Sequence, residues 1–119
     1  MTTGRMRRVD EAVRQVISDA VSAEIKDPRV GFVTVTDVRT SPDLRHARVY
    51  VTVLGPQGGP SDEQERADSL AGLRSAHGFL QGRIAGELHL KRTPTLDFLY
   101  DETTDRALRL ESLIDEAGE

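Results

Sequence analysis

The chain has 119 residues, of which 37% are hydrophobic and 30% charged, with no cysteine, no tryptophan and a formal net charge of −4. This length fits one domain of about 100–150 residues, expected over 1–116 with an acidic end at 117–119. Absent cysteines exclude disulfides and thiolate-bound metals and point to a reducing cytoplasm; no apolar run approaches the roughly 20 residues of a membrane span, and the N-terminus shows no apolar signal core.

Val9, Val13, Val16, Ile17, Ala20, Val21 and Ile25 recur at three- and four-residue spacing, predicting an amphipathic helix over 6–26. Asp27-Pro28 stops it, because a residue before proline is pushed out of the helical region. The β-branched run VGFVTVTDVRT predicts a strand over 31–40. Val33 and Val35 share one face and Val38 lies on the other, so a bulge or a shift in burial is expected near Asp37. Ser41-Pro42-Asp43 reads as a turn, with proline fixing φ and Asp43 free to bond its own backbone. HARVYVTVLG then alternates cleanly, with Ala47, Val49, Val51 and Val53 inward and Arg48, Tyr50 and Thr52 outward. Two strands joined by so short a turn run antiparallel. Asp27-Pro28-Arg29 and Ser41-Pro42-Asp43 are read as turn chemistry fixing the entry and exit of the first strand.

After the connector GPQGGPS, Ser61 and Gln64 fit a capping box. The helix it opens carries Ala67, Leu70, Leu73 and Ala76; the spacing resumes in Leu80, Ile84 and Leu88 and ends at Thr93-Pro94. One uninterrupted helix from 61 to 90 would be about 45 Å long at 1.5 Å per residue, excessive for this domain. A break is therefore expected at Ala76-His77-Gly78. If that junction is left-handed or crowded, Gly78→Ala should destabilise; in a plain helix it should stabilise. Gly82 and Gly86, four and eight residues on, are expected to let the helix pack closely on the sheet. TLDFLYD predicts a third strand with Leu96, Phe98 and Tyr100 on one face, and Leu110, Leu113 and Ile114 predict a short C-terminal helix. The helical connection is long enough to permit parallel pairing, so the expected architecture is α+β: α-β-β-α-kink-α-β around a three-stranded mixed sheet covered by helices.

Charge is segregated along the chain. Residues 101–119 hold seven acids against Arg106 and Arg109, leaving the first hundred residues with a small positive excess. Arg5, Arg7 and Arg8 form one basic element, and Arg74, Arg83, Lys91 and Arg92 form another with His77 and His89 nearby. Such segregation permits a basic face on an acidic protein. His46, His77 and His89 have no ligand spacing among them, so no metal is expected; His77 is read as exposed or donating to phosphate. Ser41 and Ser75 stand in no nucleophile motif, GPQGG is not a phosphate-binding loop, and Asp97 and Asp101 read as an outward polar row. No enzyme activity is expected.

The blocks EIKDPRVGFVTVTDVRTSPDLRHARVYVTVLG (24–55), SAHGFLQGRI (75–84) and LKRTPTLDFLYDE (90–102) closely resemble the ribosome-binding factor A family. The likeness runs from about Arg7 to Leu113. It implies a type II KH-like fold and a non-enzymatic, cytoplasmic assembly factor that binds the free small (30S) ribosomal subunit and 16S rRNA late in maturation. It also implies a role in processing the 17S precursor, support of growth in the cold, and release promoted by a ribosome-associated GTPase. Ordinary KH domains clamp a nucleic-acid backbone with a Gly-x-x-Gly loop; the family has an Ala-x-Gly kink instead, matched here by Ala76-His77-Gly78.

RNA contact is thus expected from Arg74, His77, Gly78, Arg83, Lys91 and Arg92 around the kink, from Arg5, Arg7 and Arg8, and more weakly from Arg45 and Arg48 on the hairpin. The helix start after Gly78 would offer N–H groups to a phosphate. With few aromatics to stack bases, phosphate and shape recognition of folded RNA is expected rather than readout on an aromatic sheet. A monomer without cofactor is expected. The competing reading is a protein-interaction module whose basic face binds an acidic partner.

Overall fold

The computed structural model describes residues 4–55 and 58–103. The element order is α1 (Gly4–Ala23), β1 (Phe32–Thr40), β2 (His46–Leu54), α2 (Glu63–Ser75), α3 (His77–Leu88) and β3 (Thr95–Tyr100). The C-terminal helix expected around Leu110, Leu113 and Ile114 lies outside the described residues.

Helix α1 starts earlier and stops sooner than its apolar spacing alone suggests. It buries Val13, Val16, Ile17, Ala20 and Val21. The Ala20 carbonyl accepts from both Glu24 N (2.8 Å) and Ile25 N (3.1 Å), which closes the helix before Asp27-Pro28 is reached. Asp27 then shapes the loop: its carboxylate accepts from Arg29 N at 2.9 Å and from the Arg29 guanidinium at 2.6 Å. Arg29 beside it holds the Asp27 carboxyl below its ordinary value.

Strands β1 and β2 pair antiparallel, and β3 joins β2 in parallel, giving the order β1-β2-β3. The irregular valine pattern of β1 has the expected cause. Val35 pairs with Val51 and Asp37 with Tyr50, leaving Thr36 as the extra residue of a bulge. That insertion turns both Val35 and Val38 inward. The Thr36 hydroxyl donates to the Asp101 carboxylate at 2.6 Å, tying β1 to the end of β3 across β2. Asp101 is therefore a structural acceptor, while Asp97 stays exposed on the outward face.

Along β2, Ala47, Val49, Val51 and Val53 are buried as the alternation requires, and Leu96 and Phe98 continue the layer on β3. These side chains join those of α1 with Leu73, Leu80 and Ile84 in one core, so all three helices cover the same face of the sheet.

The start of α2 corrects the expected cap. Asp62, not Ser61, is the N-cap, its carboxylate accepting from Glu65 N at 2.7 Å. The same three-residue spacing is met one position later, and an ionised acceptor also complements the helix dipole. Ser61 is instead buried, its hydroxyl accepting from Arg66 Nε at 3.2 Å.

Helix α2 holds the loop after α1 through small residues. The Ser69 hydroxyl accepts from Gly31 N at 3.1 Å, and the Ser75 hydroxyl accepts from Arg29 at 3.1 Å. Between them Gly72 is the glycine that matters for packing: a Cβ there would lie 2.5 Å from Val30 Cγ2. The chain then breaks at Ala76, whose φ of −92° and ψ of 6° fall outside the helical well. Bonds from Ala76 N to the Gly72 and Leu73 carbonyls, and from Leu80 N to the Ala76 carbonyl, keep the break to a single residue.

Candidate nucleic-acid interface

The expected break exists, but Gly78 does not cause it. Gly78 lies in the first turn of α3, is not among the positive-φ residues, and a Cβ there would meet nothing within 4 Å. Its reading as a crowded or left-handed pivot is corrected: Ala76 bends, and Gly78 is a bare position beside the bend. The packing expected of Gly82 and Gly86 is corrected too, since a Cβ at either would also meet open space. The reason is helical phase. Buried Leu80 and Ile84 set the inward side, and positions two residues out of step fall about 200° around the helix, toward solvent.

The cations around the bend have internal partners. Arg74 reaches from α2 to β3 and donates from Nη2 to the Phe98 carbonyl at 3.0 Å. Arg83 lies between Glu24 and Glu87, with Nη2 2.7 Å from the Glu87 carboxylate. His77 Nδ1 is 3.1 Å from the Arg74 carbonyl. The two arms of the bend therefore do not present a set of free cations on one side, as the sequence clustering implies.

The hairpin cations are mixed. Arg45 pairs with Asp43 at 3.6 Å, and Arg39 pairs with Asp37 at 3.0 Å. Arg48 stands opposite Arg39 on one neighbour strand and Asp97 on the other. The Asp43 carboxyl is held below its ordinary value, first by the Ser41 hydroxyl and then by the Arg45 N–H. Glu11 is likewise lowered by its bond to Arg14. These shifts belong to ordinary surface pairs and turns. Among the described residues no group of three histidines or carboxylates could hold a metal ion, and no helix is long and apolar enough to cross a membrane.

The free positive charge gathers elsewhere. Arg5, Arg7 and Arg8 lie in the first turns of α1, which carries no acidic residue there. That end of a helix already bears partial positive charge, so three arginines oppose the dipole rather than complement it. Local stability rules are broken where a concentrated field is built, a mark of functional surface. Across a groove of about 640 Å³, Arg5 meets Lys91 and Arg92 from the α3–β3 connection, with His89 between the two elements. None of these three cations has a carboxylate partner among the described residues. Sequence clustering groups Lys91 and Arg92 with the bend; the fold places them with Arg5, at the far end of α3. The groove walls also hold Asp43, which pairs with Arg45, and Leu44 and Leu90, whose residue type and spacing carry no binding signal in the sequence. Arg7 turns toward a separate mixed-charge cleft with Asp10, Glu11 and Arg14.

The sequence profile described as ribosome-binding factor A matches residues 5–114. A ribosome-binding factor A from Halorhodospira halophila is 45% identical over 117 residues, covering 96% of this chain and 86% of that protein. The crystal structure of ribosome-binding factor A from Thermus thermophilus superposes with a TM-score of 0.67 at 25% identity, covering 80% of this chain and 94% of that one. A Thermus thermophilus ribosome binding factor A homology model, fitted into the cryo-EM map of a complex with the 30S subunit, gives a TM-score of 0.59 at 27% identity, covering 76% and 88% of the two chains. With its α+β architecture and mixed three-stranded sheet in agreement with these structures, the chain belongs to the ribosome-binding factor A family.

Proposed function

We propose that this protein is a non-catalytic assembly factor that binds the free 30S subunit through 16S rRNA late in maturation and aids processing of the 17S precursor. The observation that carries the reading is the cluster of Arg5, Lys91 and Arg92, cations without acidic partners among the described residues, set beside the positive end of α1. A family relative fitted into a map of a 30S complex supports the same partner. Arg7 and Arg8 extend the contact, and Arg45 and Arg48 on the hairpin contribute more weakly. Release promoted by a ribosome-associated GTPase, support of growth in the cold, a cytoplasmic location and a monomeric state complete the reading.

Phosphate contact displaces counterions. With about five contacts on irregular RNA, log K falls against log salt with a slope of about −3 to −4. Co-sedimentation with separated 30S, 50S and 70S particles tests the reading. Preferential association with free 30S particles, weakened by salt, is the expected result. Equal association with all three, or an affinity indifferent to salt, contradicts it.

A further inference from the structure

The groove at the basic end has walls that phosphate contact alone does not require. Met6, Val9, Leu44 and Leu90 line it beside the three cations and the Asp43 carboxylate, which is paired with Arg45. Its volume of about 640 Å³ lies in the range of sites that enclose one small organic ligand.

Two wall residues also hold unusual backbone. Leu44 has φ of 61° and His89 has φ of 48°, and they are the only non-glycine residues with positive φ among the described residues. Leu44 closes the Ser41-Pro42-Asp43 turn, its N–H donating to the Ser41 carbonyl at 2.9 Å. His89 caps α3 in the left-handed conformation. Glycine is the residue both positions favour. An aliphatic side chain and an imidazole stand there instead, and both residues line the same groove. Backbone held in a sparsely populated region at two residues that line one groove points to a contact site.

We infer that this groove receives one unpaired nucleotide of the RNA: its base lies against Leu44 and Leu90, and its flanking phosphates meet Arg5, Lys91 and Arg92. The inference rests on the rRNA reading above and adds the mode of contact. A base stacked within an A-form helix cannot enter a side pocket, so the recognised element is a single-stranded or bulged segment. A groove lined by three cations and apolar side chains, its one carboxylate paired with Arg45, fits one planar group between phosphates better than a run of acidic side chains.

Fluorescence anisotropy with a labelled ten-nucleotide single-stranded RNA tests this, alongside the same strand made of abasic units, a blunt duplex of equal length and a polyglutamate peptide. The intact strand is expected to bind about fivefold to tenfold more tightly than the abasic strand and the duplex. Leu44→Gly and Leu44→Asn remove that difference. Both residues tolerate positive φ, so thermal melting at or above the parent temperature separates lost contact from lost fold. Equal binding of intact and abasic strands by the parent overturns the inference, as does a difference that survives in both Leu44 variants. Polyglutamate binding as tightly as RNA overturns it in favour of an acidic protein partner. Failure to bind any oligonucleotide, with 30S co-sedimentation retained, overturns the groove and leaves the ribosomal reading standing. Loss of 30S association itself refutes that reading first.

Discussion

The bend between α2 and α3 and the basic end of the molecule are built from the same residue types but use them in opposite ways. At the bend, Arg74 is held by a main-chain carbonyl, Arg83 by two carboxylates, and His77 leans on the turn before it. At the other end, Arg5, Lys91 and Arg92 line a groove whose one carboxylate, Asp43, pairs with Arg45, so the three cations have no carboxylate partner among the described residues. There Leu44 and His89 sit where glycine would relax the backbone. The comparison teaches that closeness in sequence does not decide whether a cation is available. Availability depends on which carboxylates and carbonyls the fold brings within reach.

Removing the three groove cations should break the contrast most visibly. Arg5→Ala/Lys91→Ala/Arg92→Ala is expected to weaken 30S binding by about two orders of magnitude at low salt and flatten the salt slope by roughly 2. Arg74→Ala/Arg83→Ala should change binding little. Its effect is on the fold, a loss of about 1–2 kcal/mol from one hydrogen bond and a pair of partly exposed ion pairs, read from urea denaturation.

The glycines of the α2–α3 region sharpen the comparison from the side of stability. Gly72→Ala drives a Cβ into Val30 and should cost about 1–3 kcal/mol. Gly78→Ala meets nothing and should gain about 0.5–1 kcal/mol while the bend at Ala76 persists. Opposite signs in melting temperature, six residues apart, are the expected outcome.

The smallest effect concerns acid. Asp27 near the bend and Asp43 at the basic end both have lowered carboxyl values in the folded chain. A lowered folded value adds stability above the unfolded value of about 4, and that stability is lost as pH falls through the folded value. Stability should therefore decline below about pH 4, and Asp27→Asn and Asp43→Asn should each make the decline shallower in an acid titration followed by circular dichroism.

Much of this architecture is written locally in the chain. Strand alternation in 47–53, the displaced valine at 38 and the resumed spacing after Ala76 each reflect neighbours a few residues apart, so pattern alone reveals them. The solvent-facing phase of Gly82 and Gly86 was legible as well, being two residues out of step with Leu80 and Ile84. Gly72 was not, because its crowding comes from Val30, distant in sequence. Nor was the pairing of Arg83, whose partner Glu24 lies 59 residues away. The site was thus readable as a set of basic residues, and only the fold sorts them into engaged and free. Leu44 escaped notice because a leucine closing a turn gives no hint of positive φ.

The chain carries only two lysines, and they fall on opposite sides of the comparison: Lys91 on the basic groove, Lys26 beside Ala76 and Phe79 at the bend. Amine-reactive labelling of the free protein and of its complex with 30S particles, read by mass spectrometry, therefore reports which end meets the subunit. Protection of Lys91 with Lys26 still reactive is the predicted result; protection of Lys26 with Lys91 left open would contradict it.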